Sequence, residues 1–193
     1  MKRLITLLCS ALIAACGTTT PSKETYLPVI ERSGPSHAVQ FKGTLQINAF
    51  SAQAPFGERN FFYRESTQRF VKDPYREWLS SPTGLITTHT QTWLKSSGLF
   101  REVLPLYSKQ TADYQLKGEL LTLHTDLQAQ PLAVAKLHIR LSSAKSPVIL
   151  DTILTANEPL SGMSANDIAA GLDQALASTL KQLERKLISL PTS

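Results

Sequence analysis

The chain has 193 residues, 42% of them hydrophobic and 18% charged, with a net charge of +5. Its basic excess is spread in single residues rather than gathered into a stripe, which argues against a nucleic-acid-binding surface. Its two cysteines, Cys9 and Cys16, both stand in the first 16 residues, so the rest of the chain can form neither a disulfide nor a thiol-based catalytic or metal site.

The opening segment is the most informative. Lys2-Arg3 precede an apolar run over 4–13, and Ala14-Ala15 stand directly before Cys16. A charged start, a short apolar run and a small-residue cleavage site make a secretory signal of the bacterial lipoprotein kind. The run is too short for a transmembrane helix, which needs about 20 apolar residues. Residues 1–15 therefore read as a signal peptide and Cys16 as the lipid-attachment residue. Its thiol would carry a diacylglycerol and its freed amine a further acyl chain such as palmitate. Each buried methylene adds about 0.8 kcal/mol of membrane affinity, so several chains make a stable anchor. Gly17, where an Asp would favour the inner membrane, points to the periplasmic face of the outer membrane. After cleavage 18 basic side chains face 15 acidic ones, leaving +3.

Residues 16–23 are small and polar and read as a flexible tether. The remainder, 24–193, is long enough for one domain that buries about 70% of its unfolded surface. Residues 25–30 suggest a short strand, at a sheet edge because of Pro28. Strict alternation from Val39 through Phe41, Leu45 and Ile47 to Ala49 predicts a half-buried strand. Two short strands follow at 61–64 and 69–72. Ser81 as a cap, Pro82 at the first helical position and Gly98 as a left-handed terminator bound a helix. Further strands are expected at 100–106, 114–123, 132–141 and 148–154, the last of them an antiparallel meander. In the strand at 132–141, Ala133, Ala135, Leu137, Ile139 and Leu141 face one way.

Ser164-Ala165-Asn166-Asp167 is a capping-box pattern, with Met163 and Ile168 as a hydrophobic staple. Ile168, Leu172, Leu176, Leu180, Leu183 and Leu187 then form one apolar stripe over 164–189, a helix about 39 Å long. A coiled-coil seam is the competing reading of that stripe, but it lasts less than four heptads. The expected architecture is α+β: a two-layer sandwich, a mostly antiparallel sheet with two helices packed on one face.

Little in the chain points to catalysis. The four histidines, at positions 37, 89, 124 and 138, form no zinc-binding pair. His89 falls on the apolar side of the first helix, whereas His124 and His138 alternate with apolar residues and are expected at solvent. Glu58, Glu65, Asp73 and Glu77 are near one another only in sequence. No nucleophile elbow, phosphate loop or dinucleotide fingerprint occurs. No catalytic residue, metal or cofactor is expected, and the chain reads as a non-enzyme.

The stretch 61–78 has more character. It interleaves six aromatics with Arg64, Arg69, Lys72 and Arg76, residue types that dominate binding energy at protein interfaces. Arg64, Arg69, Tyr75 and Arg76 are the candidate partner-binding residues. On the competing reading Tyr63, Phe70 and Trp78 pack in the core and the arginines are a solvated face.

The order and spacing of these features resemble the ABC-type transport auxiliary lipoproteins, the PqiC/YmbA group. The match includes the lipobox at Cys16, Tyr26-Leu27, and Phe62-Tyr63-Arg64 followed by Phe70, Tyr75, Trp78 and Pro82. It continues through Leu94-Lys95-Ser96-Ser97-Gly98-Leu99-Phe100 and Ala112-Asp113-Tyr114-Gln115-Leu116 to the closing helix. The family's Leu-Asp pair before the Tyr-Arg strand is missing at Phe56-Gly57-Glu58-Arg59. The resemblance implies a non-enzymatic partner of an ABC transporter with MCE-domain proteins, systems that move lipid between two membranes. It implies docking on the MCE component, and self-association into a homo-oligomer is a further expectation. The alternative is a lipoprotein that activates or assembles another envelope machine, for cell-wall synthesis or lipopolysaccharide assembly.

Overall fold

The computed structural model describes residues 22–191. The signal peptide (1–15), Cys16 and all but the end of the tether lie outside the described residues. The elements run β1 (Glu24–Tyr26), β2 (Phe41–Ile47), β3 (Ser51–Ala52), β4 (Asn60–Arg64), β5 (Phe70–Trp78) and α1 (Pro82–Ser97), then β6 (Phe100–Val103), β7 (Tyr114–Asp126), β8 (Leu132–Ser143), β9 (Leu150–Pro159) and α2 (Ala165–Ile188). The fold is α+β: one open, mixed sheet of nine strands with two helices among the described residues.

The sheet is organised on β7, whose 13 residues have one edge paired antiparallel with β8, itself antiparallel to β9. This is the expected meander. The other edge of β7 is taken in three successive pieces by β2, β3 and β4, with Leu45 opposite Tyr114, Ser51 opposite Glu119 and Tyr63 opposite Thr125. All three pairings are parallel, so the sheet is more mixed than expected. Beyond this edge it forks: β6 adds to β2, while β5 and then β1 add to β4. Alternation reveals which face a residue occupies but carries no information on strand direction.

The interruption between β2 and β3 has a steric cause. Phe50 turns inward and its ring lies against Gly118 of β7, where a Cβ would come within 2.2 Å of Phe50 Cε2. Thr87 of α1 holds the turn by accepting the Phe50 N–H at 3.0 Å.

Ala133, Ala135, Leu137, Ile139 and Leu141 of β8 are all fully buried, as the alternation predicts. They share one core with Ile168, Leu172, Leu176, Leu180, Leu183 and Leu187 of α2 and with Ile86, Trp93 and Leu94 of α1. At α2 the capping box forms, with Asp167 N–H donating to Ser164 Oγ at 3.2 Å and Ser164 N–H to Asp167 Oδ2 at 3.1 Å. Met163 is half-exposed. Ser81 precedes α1 without capping it, because its hydroxyl bonds Thr83 Oγ1 at 2.7 Å instead of a backbone N–H. Gly98 ends α1 in the left-handed conformation, φ +74°.

The expected strand at 25–30 stops at Tyr26. Pro28, which has no N–H, cannot extend a ladder. Residues 27–40 instead form a strap across both helices. Val29 N–H donates to Asp173 Oδ2 (2.9 Å), His37 N–H to the Ser97 carbonyl (2.8 Å) and Gln40 Nε2 to the Leu190 carbonyl (2.6 Å). Its firmest attachment is Glu184 of α2, only 8% exposed. The Glu184 carboxylate accepts from Arg32 Nε and Nη2 at 3.0 and 2.8 Å, and from Trp93 Nε1 of α1 at 2.6 Å. His37 Nε2 lies 2.6 Å away. Burial by itself raises the Glu184 carboxyl, but the hydrogen bonds from Arg32, His37 and Trp93 more than offset it and hold it below its usual range.

Glu184→Ala should leave the Arg32 guanidinium buried without its counter-charge. The expected loss is on the order of 3–5 kcal/mol, or roughly 6–20 °C in melting temperature for a domain of this size. Thermal melts followed by circular dichroism test it. The Arg32→Ala/Glu184→Ala double variant should lose less than the sum of the two single losses.

Candidate partner-binding surface

The aromatic–arginine stretch folds as the antiparallel pair β4–β5. Its register jumps between Phe62 opposite Lys72 and Asn60 opposite Glu77, so β5 bulges around Asp73-Pro74-Tyr75-Arg76. A proline in a strand is tolerated at such a bulge. Asp73, 5% exposed, organises it: the N–H groups of Tyr75 and Arg76 donate to Asp73 Oδ1 at 2.8 and 3.0 Å. Tyr63 donates its phenol to Asp73 Oδ2 at 2.6 Å, and Asn60 Nδ2 donates to the Asp73 carbonyl at 2.9 Å. Burial, and then this bond to Asp73, push the Tyr63 phenol up to about 12.

The four candidate residues fall into two groups. Arg64 is paired with Asp126 at 3.1 Å, and Arg69 with Glu65 at 3.1 Å; both stand at the β4–β5 turn. Arg69 remains 72% exposed along its side chain. Tyr75 and Arg76 stand at the bulge, toward the other end of β5. Arg76 Nη1 lies 3.4 Å from Asp73 Oδ2 and from Tyr63 Oη, and its Nε lies 3.8 Å from Glu24 of β1. Tyr75 is 47% exposed and makes no side-chain hydrogen bond among the described residues. Arg69 and Tyr75 are thus the members most open to a partner, while Arg64 and Arg76 are held by internal carboxylates.

Trp78 is buried, and Tyr63 is half-buried against the core. Phe70 departs from the core reading: it is 41% exposed and belongs to a separate aromatic cluster. Phe61 and Phe62, adjacent on β4, point to opposite faces. Phe61 packs against Trp78 at 4.6 Å, their rings tilted by 54°, within the core, whereas Phe62 meets Phe56 at 5.6 Å, and Phe56 meets Phe70 at 5.8 Å. His124 of β7 completes this cluster, 5.1 Å from Phe70 and 6.1 Å from Phe56.

His124 therefore does not face solvent. It is 4% exposed, because loop 53–59 brings Phe56 over that face of the sheet. Its Nδ1 bonds Thr122 Oγ1 at 2.7 Å, and its Nε2 has no partner among the described residues. Burial drives its pKa down to about 4, partly opposed by Asp126. His138 is partly exposed and paired with Asp151 at 2.5 Å. His89 sits at the core edge with its pKa lowered by burial. Among the described residues no three His, Cys, Asp or Glu side chains converge as a metal site.

Because the native state keeps His124 neutral, the unfolded chain gains a proton first as pH falls below about 6.5. Stability present above that pH is lost toward pH 4, by up to about 1.4 kcal/mol per unit. Between pH 7 and 5 the wild type should therefore lose about 2 kcal/mol more than a His124→Phe variant. Urea titrations at the two pH values check it, and equal losses would remove His124 as the cause.

No family model matches the chain, and no curated protein matches it. Solved structures do match. The crystal structure of a Xanthomonas campestris protein described by the family model DUF330 superposes with TM-score 0.74 at 20% identity, covering 86% of this chain and 95% of its own. An uncharacterized protein gives 0.66 at 13% identity, over 86% and 99% of the two chains. A hypothetical protein from Chlamydia trachomatis gives 0.50 at 10% identity, over 76% and 98%. This chain is similar to them in fold over most of its length.

Proposed function

We propose that the protein is an outer-membrane-anchored periplasmic lipoprotein and a non-enzymatic auxiliary component of an MCE/ABC-type intermembrane lipid transport system. The observation that carries the reading is the run Leu12-Ile13-Ala14-Ala15-Cys16 behind Lys2-Arg3. In this reading acyl chains on Cys16 hold the domain at the bilayer, the tether sets its reach, and the folded body docks on the MCE-domain protein. Anchoring raises the local concentration of the docking surface, so a weak contact suffices. The ionisable groups of the β4–β5 arm are engaged with one another, which suits recognition rather than turnover. We read the architecture as two layers, in which both helices cover one sheet face, since their buried residues share a core with the inward residues of β8.

A carrier with a lipid cavity between helices and sheet is less well supported. The apolar pocket there, lined by Ile30, Trp78, Leu123 and Leu176 among others, has no room for a water molecule. A lipoprotein serving another envelope machine shares the anchor and is separated by the captured partner.

Cys16→Ser is the direct test. Wild-type protein should incorporate labelled palmitate and fractionate with the outer membrane. The variant should take up no label and be released or retained as precursor. Crosslinking in intact cells, through probes at Arg69 and Tyr75, should capture an MCE-domain protein. Capture of a cell-wall or lipopolysaccharide machine instead supports the alternative.

A further inference from the structure

An open groove runs along the first half of α1, beside the turn at 48–50 and the segment 104–108. It holds about 560 Å³ and continues into a second hollow of about 320 Å³, the two sharing Ala49, Thr87, Leu106 and Tyr107. None of its lining residues is Asp, Glu, Lys or Arg, although 18% of the chain is charged. The polar side of a surface helix ordinarily carries charge. Here α1 has no Asp or Glu and no Lys or Arg before Lys95, and its His89, which also lines the groove, has its pKa lowered by burial. The hydroxyls of Thr87 and Thr88 are turned back onto the carbonyls of Thr83 and Gly84, at 2.7 and 3.1 Å.

The rim is more apolar still. Leu27 is 59% exposed and Tyr107 88% exposed, and both line the groove. Leu79, 54% exposed, donates its N–H to the carbonyl of Tyr26, next to Leu27, at 2.7 Å. Tyr107 has φ +64°, a left-handed backbone conformation that costs a non-glycine residue stability and persists where it has a use. The fold holds the ring outward, with almost no protein surface against it.

The place of the groove identifies its occupant. The chain enters the fold at Glu24, and Leu27 lies three residues on, about 10 Å along an extended chain. From Cys16 to Glu24 the tether reaches at most about 28 Å. A domain anchored through Cys16 therefore keeps this corner within reach of the bilayer, although the tether alone leaves its orientation free. We propose that the groove and its rim of Leu27, Leu79 and Tyr107 dock on the phospholipid surface, apolar residues entering the boundary between headgroups and acyl chains. Tyr suits that boundary, with an apolar ring and a wet hydroxyl. No lining charge has to leave water. The contact fixes the orientation of the body, so that the β4–β5 arm is turned toward a partner rather than tumbling on its tether.

This rests on the anchored reading given above, and the experiment separates the two. Mature acylated protein carrying one fluorophore, at Tyr107→Cys or at Ser66→Cys in the turn at the far end of β5, is reconstituted into phosphatidylethanolamine–phosphatidylglycerol vesicles containing spin-labelled lipid. Emission at 107 should shift to the blue and be quenched several-fold more than at 66. Adding Leu27→Asp, a change at an exposed position, should abolish the difference. Protein that floats with the vesicles while its 107 probe stays as water-exposed as the 66 probe overturns the groove proposal alone. So does a 107 probe shielded from aqueous iodide but indifferent to the lipid quencher, which means that protein covers the groove. Protein that does not float at all overturns the anchor, and the groove proposal with it.

Discussion

One carboxylate closes the molecule. Glu184 gathers donors from the strap and from α1, segments separated from it by about a hundred residues or more along the chain. Taking a carboxylate and a guanidinium out of water is unfavourable unless their geometry is good and their other hydrogen bonds are satisfied. Here Arg32 donates from two nitrogens to Glu184 and also reaches the carbonyls of Gly34 and Pro35, at 3.1 and 2.7 Å. The strap cannot slide along α2 without breaking this set. Through it the position of Leu27, and so the entry of the chain and one wall of the groove, is tied to the packing of the two helices.

The second constraint is the unequal use of the two edges of β7. One edge is a continuous ladder; the other is shared among three short strands, because Phe50 and loop 53–59 interrupt what would otherwise be one long partner. The fork produces two arms of different chemistry. The β4–β5–β1 arm is dense in ion pairs: Arg59 and Lys23 on Glu77, Lys72 on Glu58, and Arg76 between Asp73 and Glu24. Exposed pairs of this kind add little stability, but they give a surface on which charge can select a partner.

Much of this was legible in the amino-acid sequence. The period of two in β2 and β8, and the three- and four-residue steps in α2, located those elements and their buried faces within a few residues. Strand direction was not legible, since a parallel neighbour and an antiparallel one present the same alternation. The burial of His124 was not legible either. Alternation predicts solvent exposure for it, and nothing local announces that a loop some seventy residues earlier returns to cover it. Glu184 left a signal that could have been used. It lies four residues after Leu180 and three before Leu187, inside the apolar stripe, where a carboxylate demands a buried partner. Asp173 occupies the same kind of position between Ala169 and Leu176, and burial pushes it up to about 6. The four candidate binding residues are chosen by type alone, and type cannot separate arginines held by Asp73 and Asp126 from Arg69, which is paired with Glu65 yet largely exposed.

On the anchored reading proposed above, the arrangement also bears on how the domain is oriented. Attachment through one end of a chain limits distance but not orientation. Orientation requires a second contact, and that contact must be weak enough to leave the charged arm free to exchange partners. A charge-free groove beside the chain entry meets this requirement, because its attraction to a bilayer is non-directional and scales with the apolar area removed from water. The ion-paired arm meets the opposite one, since charge placed in register discriminates among partners while adding little affinity of its own. Placing the two chemistries apart prevents either from masking the other: the ion pairs lie along β4, β5 and β1, whereas the rim residues Leu27 and Leu79 lie just past the ends of β1 and β5.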